Sequence, residues 1–159
     1  MPLKFSLNYV KPPQSKASVP SRPDEKTVFK GTNGCTVILV HGFTGTPNEM
    51  RGLAKSLNKT GYSAVCPRLA NHGESIEVLK KTTWQDCYQS VREVFLDIVS
   101  ANKNEKIYVA GLSVGALLTL LLADEFKEKI SGIGCLAPIL DYDGWNMPWT
   151  RHLLPIGAA

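Results

Sequence analysis

The sequence predicts an α/β protein built on a parallel, doubly wound sheet with helices on both faces. Apolar runs rich in β-branched residues alternate with helix-like runs between residues 31 and 140, and this alternation is typical of parallel sheets. The first strand-like run, "CTVILV", is apolar on both faces, as expected where helices cover both faces of a sheet. A chain of 159 residues with 43% hydrophobic residues is long enough and apolar enough for one such core.

The first predicted strand and helix lie on either side of the loop "HGFTGT". The strand is "CTVILV" (35–40), and the helix lies within "TPNEMRGLAKSLNKTGY". Thr46 is expected to cap this helix, with Pro47 at its first position and Glu49 completing a capping box.

The remaining elements continue the alternation. "YSAVCPRL" (62–69) predicts a second strand that Pro67 ends, and "NHGES" predicts a loop. The segment after Thr83 predicts a long helix with apolar residues at helical spacing. "KIYVAG" (106–111) predicts the third strand, and "ISGIGCLAPIL" (130–140) contains the fourth. Between these two strands, "VGALLTLLLADEF" predicts a helix that is apolar nearly all round and therefore buried.

Both ends of the chain differ in composition from its central part. Residues 1–30 contain five prolines among polar residues, which indicates an extended arm. Residues 141–159 are rich in aromatic residues and proline. The sequence therefore divides into a proline-rich arm (1–30), a core (31–140) and a C-terminal segment (141–159).

Composition disfavours several classes of function. The net charge is +4 without a dense lysine and arginine cluster, so no nucleic-acid partner is expected. No Cys-x-x-Cys pair occurs, so neither a metal site nor a cofactor is predicted; the cysteines are Cys35, Cys66, Cys87 and Cys135. No apolar run has the length of a signal peptide or a membrane span, so we expect a cytoplasmic protein without stable membrane insertion.

The strongest chemical signal is Gly-Leu-Ser-Val-Gly, in which Ser113 stands between Gly111 and Gly115. Gly-x-Ser-x-Gly is typical of a nucleophilic serine on a sharp strand-to-helix turn, where the flanking glycines leave room for strand and helix to approach. Here the pattern follows a predicted strand and precedes a predicted helix, as that mechanism requires. The alternative interpretation is a serine that only caps a buried helix.

The segment "VILVHGFTG" is the second candidate. Acyl transfer needs two N–H donors directed at the oxyanion of the tetrahedral intermediate. The amide after the nucleophile, that of Val114, supplies one, and the loop after an earlier strand supplies the other. Phe43 is the predicted second donor because Gly42 allows the backbone to turn there. The alternative is an ordinary strand-to-helix loop.

These motifs, together with "TTWQDCYQSVREVFL", resemble the α/β-hydrolase superfamily in order and spacing, within its carboxylesterase and monoacylglycerol-lipase-like branch. The resemblance covers residues 35–140. It implies that Ser113 is the nucleophile and that the amides of Phe43 and Val114 form the oxyanion hole. It also implies supporting roles for nearby residues: His41, Gly42, His72, Gly111 and Gly115. The ending "DYDGWNMPW" resembles the start of a cap or lid segment.

The sequence offers few candidates for the catalytic acid and base. In the resembling family they lie on loops after later strands, so we expect the fold to be truncated after about the fourth parallel strand, with this chain as the N-terminal portion. Asp141 and His152 follow Ser113 in the order Ser, Asp, His and are the alternative acid and base, but no strand fixes His152. The resemblance implies that His41 is structural and that His72 orders its loop, so neither is expected to be the base.

The resemblance implies a serine hydrolase of carboxylic esters, carboxylesterase- or lipase-like, that acts on a small apolar ester through an acyl-enzyme. Two alternatives remain open from the sequence. One is a non-catalytic, truncated remnant of the fold or a binding module. The other is a peptidase, thioesterase or acyltransferase of the same fold. The sequence does not predict an oligomeric state.

Overall fold

A computed structural model describes residues 26–101 and 106–140. The elements in this part of the chain are β1 (Thr27–Phe29), β2 (Cys35–Val40), α1 (Pro47–Lys59), β3 (Ser63–Cys66), α2 (Ile76–Leu79), α3 (Trp84–Ala101), β4 (Lys106–Leu112), α4 (Val114–Glu125) and β5 (Ile130–Leu136).

The five strands form one sheet in the order β1-β3-β2-β4-β5. The pairs β2–β3, β2–β4 and β4–β5 are parallel, and β1 alone pairs antiparallel, with β3. The chain moves from β2 to β3 on one side and then to β4 on the other side of β2, which makes the sheet doubly wound. The predicted α/β class and its four parallel strands are confirmed.

The core lies on both faces of the sheet because β2 is buried on both. Alternate residues of a strand point to opposite faces. Ile38 and Val40 join one apolar cluster with side chains of α3 and α4, including Val91, Phe95 and Leu122. On the other face Val37 and Leu39 pack with α1 and β3; the other members of that cluster are Met50, Ala54, Ala64 and Cys66. The continuous apolar run "CTVILV", which forms β2, is therefore covered on both faces of the sheet, as predicted.

Local signals placed the long helices correctly. Pro47 begins α1, and α3 begins after Thr83, whose hydroxyl accepts a hydrogen bond from the Asp86 N–H at 3.3 Å. The Asp86 carboxylate in turn accepts one from the Thr83 N–H at 2.9 Å, which completes a reciprocal cap. α4 is buried along much of its length, although Leu120 is exposed.

Two elements differ from the prediction. β1 lies inside the segment predicted as an extended arm, and residues 1–25 of that arm lie outside the described residues. α2 is a single turn that was not predicted. β3 covers Ser63–Cys66 and ends before Pro67, as predicted, since Pro67 has no N–H to donate to a sheet ladder. β5 is the edge strand opposite β1, and apolar side chains on it such as Ile133 and Leu136 are exposed.

In the described part of the chain, no helix has the length and apolar character needed to cross a membrane. The C-terminal segment predicted to begin a cap, with Asp141 and His152, lies outside the described residues.

Candidate active site

The candidate site lies where β2 and β4 end side by side. The parallel register pairs Val40 with Gly111, so the 41–46 loop and the turn at Ser113 both begin at the carboxyl-terminal ends of adjacent strands. This is the point at which the chain reverses its direction of winding, and open α/β sheets bind ligands at such a point. The fold thus brings the two sequence motifs together.

Ser113 is the single residue between β4 and α4, and its backbone is strained. Its φ of 55° and ψ of −116° lie in a region that residues with a Cβ rarely occupy. Its N–H donates to the carbonyl of Leu136 on β5 at 2.9 Å, which anchors the turn to the neighbouring strand. Backbone strain of this kind persists only where the surrounding structure enforces it, and it is concentrated at functional sites.

Gly111 and Gly115 make this turn possible. A Cβ at Gly111 would lie 2.1 Å from the Gly115 carbonyl oxygen, and a Cβ at Gly115 would lie 2.4 Å from the Val40 oxygen and 2.5 Å from that of His41. All of these neighbours are backbone atoms that cannot move aside. The glycines therefore allow β4, α4 and the end of β2 to approach within backbone contact.

The 41–46 loop contacts Ser113 through Gly42. A Cβ built on Gly42 would lie 3.6 Å from the Ser113 Cβ and 3.5 Å from the Leu112 oxygen, which is ordinary van der Waals distance. The backbone of Gly42 is therefore adjacent to the serine side chain, and Phe43 is the next residue along the loop. The Phe43 side chain is 64% exposed.

His41 anchors the 41–46 loop through hydrogen bonds of both ring nitrogens and is therefore not available as a general base. Its Nε2 accepts a hydrogen bond from the Leu69 N–H at 3.1 Å, so its Nδ1 carries the proton and donates to the Gly42 carbonyl at 2.9 Å. The ring is fully buried, and burial lowers the pKa of His41 from 6.5 to about 4. Both ring nitrogens are thus used structurally, in the neutral form.

The Gly42 carbonyl accepts a second hydrogen bond, from the Gly45 N–H at 3.2 Å. This bond closes a four-residue turn in which Thr44, at the third position, has a φ of 61°, where glycine or asparagine is usual. In a trans peptide the carbonyl and the following N–H point in opposite directions. The anchored Gly42 carbonyl therefore also sets the direction of the Phe43 N–H.

Glu49 contributes a contact that the sequence did not predict. The expected capping box is wrong, because the Thr46 side chain makes no capping hydrogen bond and Glu49 does not return to Thr46. Instead, the Glu49 carboxylate accepts the Gly42 N–H at 2.8 Å. Both the N–H and the carbonyl of Gly42 are therefore held.

His72 links a second loop to the site. Its ring is 2% exposed, with its centroid 5.1 Å from the His41 ring and 6.1 Å from the Phe43 ring. Its Nδ1 lies 3.0 Å from the Ala70 carbonyl oxygen, whereas its Nε2 has no hydrogen-bond partner among the described residues. Within residues 26–101 and 106–140, therefore, no histidine is hydrogen-bonded to the Ser113 hydroxyl.

The four cysteines are unpaired. Burial raises the pKa of Cys66 and of Cys87 to about 11, so these two thiols are poor nucleophiles at neutral pH. Within the described residues, no group of three or more histidine, cysteine, aspartate or glutamate side chains could hold a metal ion.

The fold and the serine turn define a protein of the α/β-hydrolase class, and comparison with known families agrees. The alpha/beta hydrolase fold family matches residues 36–158, so the chain belongs to this family.

Within this family, the chain is similar to lipases and esterases. The chain is 44% identical over 106 residues to a thermostable monoacylglycerol lipase of Bacillus sp. (strain H-257), and 34% identical over 105 residues to a carboxylesterase of Bacillus subtilis (strain 168). Each match covers 66% of this chain and 41% of the relative, so the chain corresponds to less than half of either protein. A solved structure described with the metagenome-derived lipolytic enzymes LipS and LipT superposes with a TM-score of 0.68 at 28% identity, over 75% of this chain and 47% of that one.

Proposed function

We propose that the protein is a serine hydrolase that cleaves carboxylic esters through an acyl-enzyme on Ser113. The observation that carries the proposal is the strained Ser113 backbone at the switch point of the sheet, in contact with the 41–46 loop. A serine that only capped a helix would not need this strain. In addition, the Ser113 side chain makes no capping hydrogen bond to α4.

In this mechanism the Ser113 Oγ attacks the acyl carbon while a general base removes its proton. The tetrahedral intermediate collapses, the alcohol leaves with that proton, and water then hydrolyses the acyl-enzyme to release the acid. The oxyanion would be held by the N–H groups of Phe43 and Val114. Val114 begins α4, so its N–H has no partner within the helix. The direction of the Phe43 N–H is set by the anchored Gly42 carbonyl.

The acid and base would come from outside the described core. His41 uses both ring nitrogens in the fold, and no described histidine contacts the Ser113 hydroxyl. The curated relatives extend well beyond the portion that this chain matches, which leaves room for later strands that carry the acid and base. This chain would then be the N-terminal portion of the enzyme.

The proposed substrate is a small apolar ester. The monoacylglycerol lipase and carboxylesterase relatives support ester chemistry, and the exposed Phe43 ring offers an apolar surface on the 41–46 loop. Four unpaired cysteines agree with a reducing, cytoplasmic environment.

Covalent labelling with a fluorophosphonate tests the proposal directly, because this probe reacts with an activated serine. The labelled protein is the whole enzyme, with the segment that supplies the acid and base, since the described core provides neither. Peptide mapping by mass spectrometry is expected to place the phosphonate on Ser113. Ser113→Ala should abolish labelling, whereas Ser131→Ala, on the exposed side of β5, should not change it. Rates of hydrolysis are then compared between p-nitrophenyl esters, a monoacylglycerol, a thioester and a peptide. This panel distinguishes an esterase from a thioesterase or a peptidase of the same fold. A protein left unlabelled at Ser113 would support a non-catalytic remnant of the fold.

A further inference from the structure

We propose that Glu49 is a positioning residue that orients the Phe43 N–H toward the reacting carbonyl, an inference that rests on the proposed function. The contact that suggests it is the hydrogen bond from the Gly42 N–H to the Glu49 Oε2 at 2.8 Å. Glu49 need not touch the substrate in this role. It acts through the backbone of the residue that precedes the donor.

Glu49 fits this position because the loop has no side chain where the carboxylate lies. A Cβ at Gly45 would be 2.5 Å from the Glu49 Oε2 and 3.1 Å from its Cδ. The carboxylate therefore occupies the space that any other residue at position 45 would fill. Glycine at 45 and glutamate at 49 form a matched pair.

The two peptide units that flank Gly42 are held by different groups. Glu49 accepts the Gly42 N–H, and the Gly42 carbonyl accepts from His41 Nδ1 at 2.9 Å and from the Gly45 N–H at 3.2 Å. Glycine has the widest range of backbone angles of any residue. Without Glu49 the 41–42 peptide would lose the acceptor of its N–H and could rotate at Gly42. The 42–43 peptide, which carries the Phe43 N–H, would then be held only by the bonds that the Gly42 carbonyl accepts from His41 and Gly45.

The role is geometric and not electrostatic. A carboxylate would repel the negative charge that develops on the oxyanion, so its charge does not itself assist the reaction. Its advantages are that a charged acceptor makes the stronger hydrogen bond and that the first turn of α1 favours a negative side chain. Glutamine retains an acceptor oxygen without the charge, whereas alanine retains neither.

Four variants of the whole enzyme, with the segment that supplies its acid and base, test this role with a p-nitrophenyl ester as substrate. Glu49→Ala is expected to lower kcat by about tenfold with little change in KM, which is less than the loss of a whole oxyanion donor. Glu49→Gln should stay within about threefold of wild type, because it still accepts the Gly42 N–H. Gly45→Ala should lower kcat at least as much as Glu49→Ala, since its Cβ would displace the carboxylate and would also lie 3.1 Å from the Gly42 carbonyl oxygen. Glu93→Ala, on the exposed side of α3, is the matched control and should change nothing.

A wild-type kcat for Glu49→Ala would overturn the proposal. So would a Glu49→Gln variant as slow as Glu49→Ala, because Glu49 would then act through its charge or its proton.

An NMR measurement keeps the proposal testable even if the proposed function fails. The Gly42 and Phe43 amide signals of wild type are expected to shift together in Glu49→Ala and Gly45→Ala, and to stay near their wild-type positions in Glu49→Gln. Unchanged signals in Glu49→Ala would overturn the positioning role. Absence of labelling at Ser113 in wild type would instead overturn the proposed function and leave this spectroscopic result to stand alone.

Discussion

Two strand-to-helix turns meet at the candidate site, and they are built in opposite ways. The turn from β4 to α4 is one residue long, and backbone atoms packed against Gly111 and Gly115 hold it in place. The 41–46 loop from β2 to α1 is longer, and the side chains of His41 and Glu49 hold it through hydrogen bonds to Gly42.

The difference matters for the proposed chemistry. A nucleophile must be placed rigidly, and backbone contact permits little movement. An oxyanion donor must be directed, and hydrogen bonds to the adjacent peptide can adjust that direction. The turn at Ser113 should therefore tolerate almost no added volume, whereas the 41–46 loop should respond in graded fashion to changes in its anchors.

The largest expected effect comes from adding one methyl group to the serine turn. Gly115→Ala should lower the free energy of unfolding by about 3 kcal/mol or more, because its Cβ would meet the backbone oxygens of Val40 and His41. Gly52→Ala is the matched control. It lies within α1 with nothing near its added Cβ, and it should raise stability by about 0.5–1 kcal/mol. Urea unfolding measures both, and a Gly115→Ala variant as stable as wild type would show that the turn is not closed by backbone contact.

The His41 anchor predicts a pH dependence. Burial lowers the pKa of His41 to about 4, so between about pH 6.5 and about pH 4 the unfolded chain binds a proton at this ring that the folded chain does not bind. The folded state is therefore fully stable with respect to this group above about pH 6.5, and it loses stability as the pH falls below that value. Between about pH 7 and about pH 4.5, this group should cost about 2–3 kcal/mol.

The neutral analogue His41→Gln isolates this term from the other titrating groups. Urea unfolding of wild type and variant at the two pH values gives the difference in their pH dependence. Equal losses of stability in the two proteins would mean that His41 titrates normally in the folded state.

A smaller effect separates the strain at Ser113 from its chemistry. Both Ser113→Gly and Ser113→Ala remove the hydroxyl and should abolish fluorophosphonate labelling. The glycine variant should nevertheless be more stable than the alanine variant by about 1–2 kcal/mol, because only glycine adopts these backbone angles without strain. Thermal unfolding of the two variants provides the comparison. An alanine variant of equal or greater stability would exclude strain at this residue.

The smallest expected effect concerns the strained residue of the 41–46 loop. Thr44→Asn should raise stability by about 1 kcal/mol, since asparagine accepts a positive φ more readily than a β-branched residue. Thr32→Asn, at an exposed position without a positive φ, serves as the control and should be neutral. A denaturation midpoint that moves equally in both variants would point to a general effect of asparagine.

The same contrast explains what the sequence could predict. The serine turn could be predicted because its glycines are close in sequence to Ser113, and the four parallel strands could be predicted from apolar runs such as "CTVILV". The end of β3 was predicted too, because Pro67 cannot donate to a sheet ladder. β1 was missed because a three-residue strand depends on pairing with β3, a contact that local pattern does not reveal.

Glu49 shows why the anchors of the 41–46 loop were harder to predict. Thr46 and Glu49 have the spacing of a capping box, and this local pattern was the only signal available. The Glu49 carboxylate instead accepts a hydrogen bond from the Gly42 N–H, which the path of the 41–46 loop brings close to the start of α1. This partner could not be predicted, because it depends on the three-dimensional path of the loop.

Ser113 and the Phe43 and Val114 amides are proposed to act on one reacting group, and a crystal structure of the phosphonylated protein would show whether they do. We expect a phosphonate on the Ser113 Oγ, with one phosphoryl oxygen about 2.7–3.1 Å from both the Phe43 and the Val114 amide nitrogens. A phosphoryl oxygen that faces solvent, or that is bound by neither amide, would contradict it.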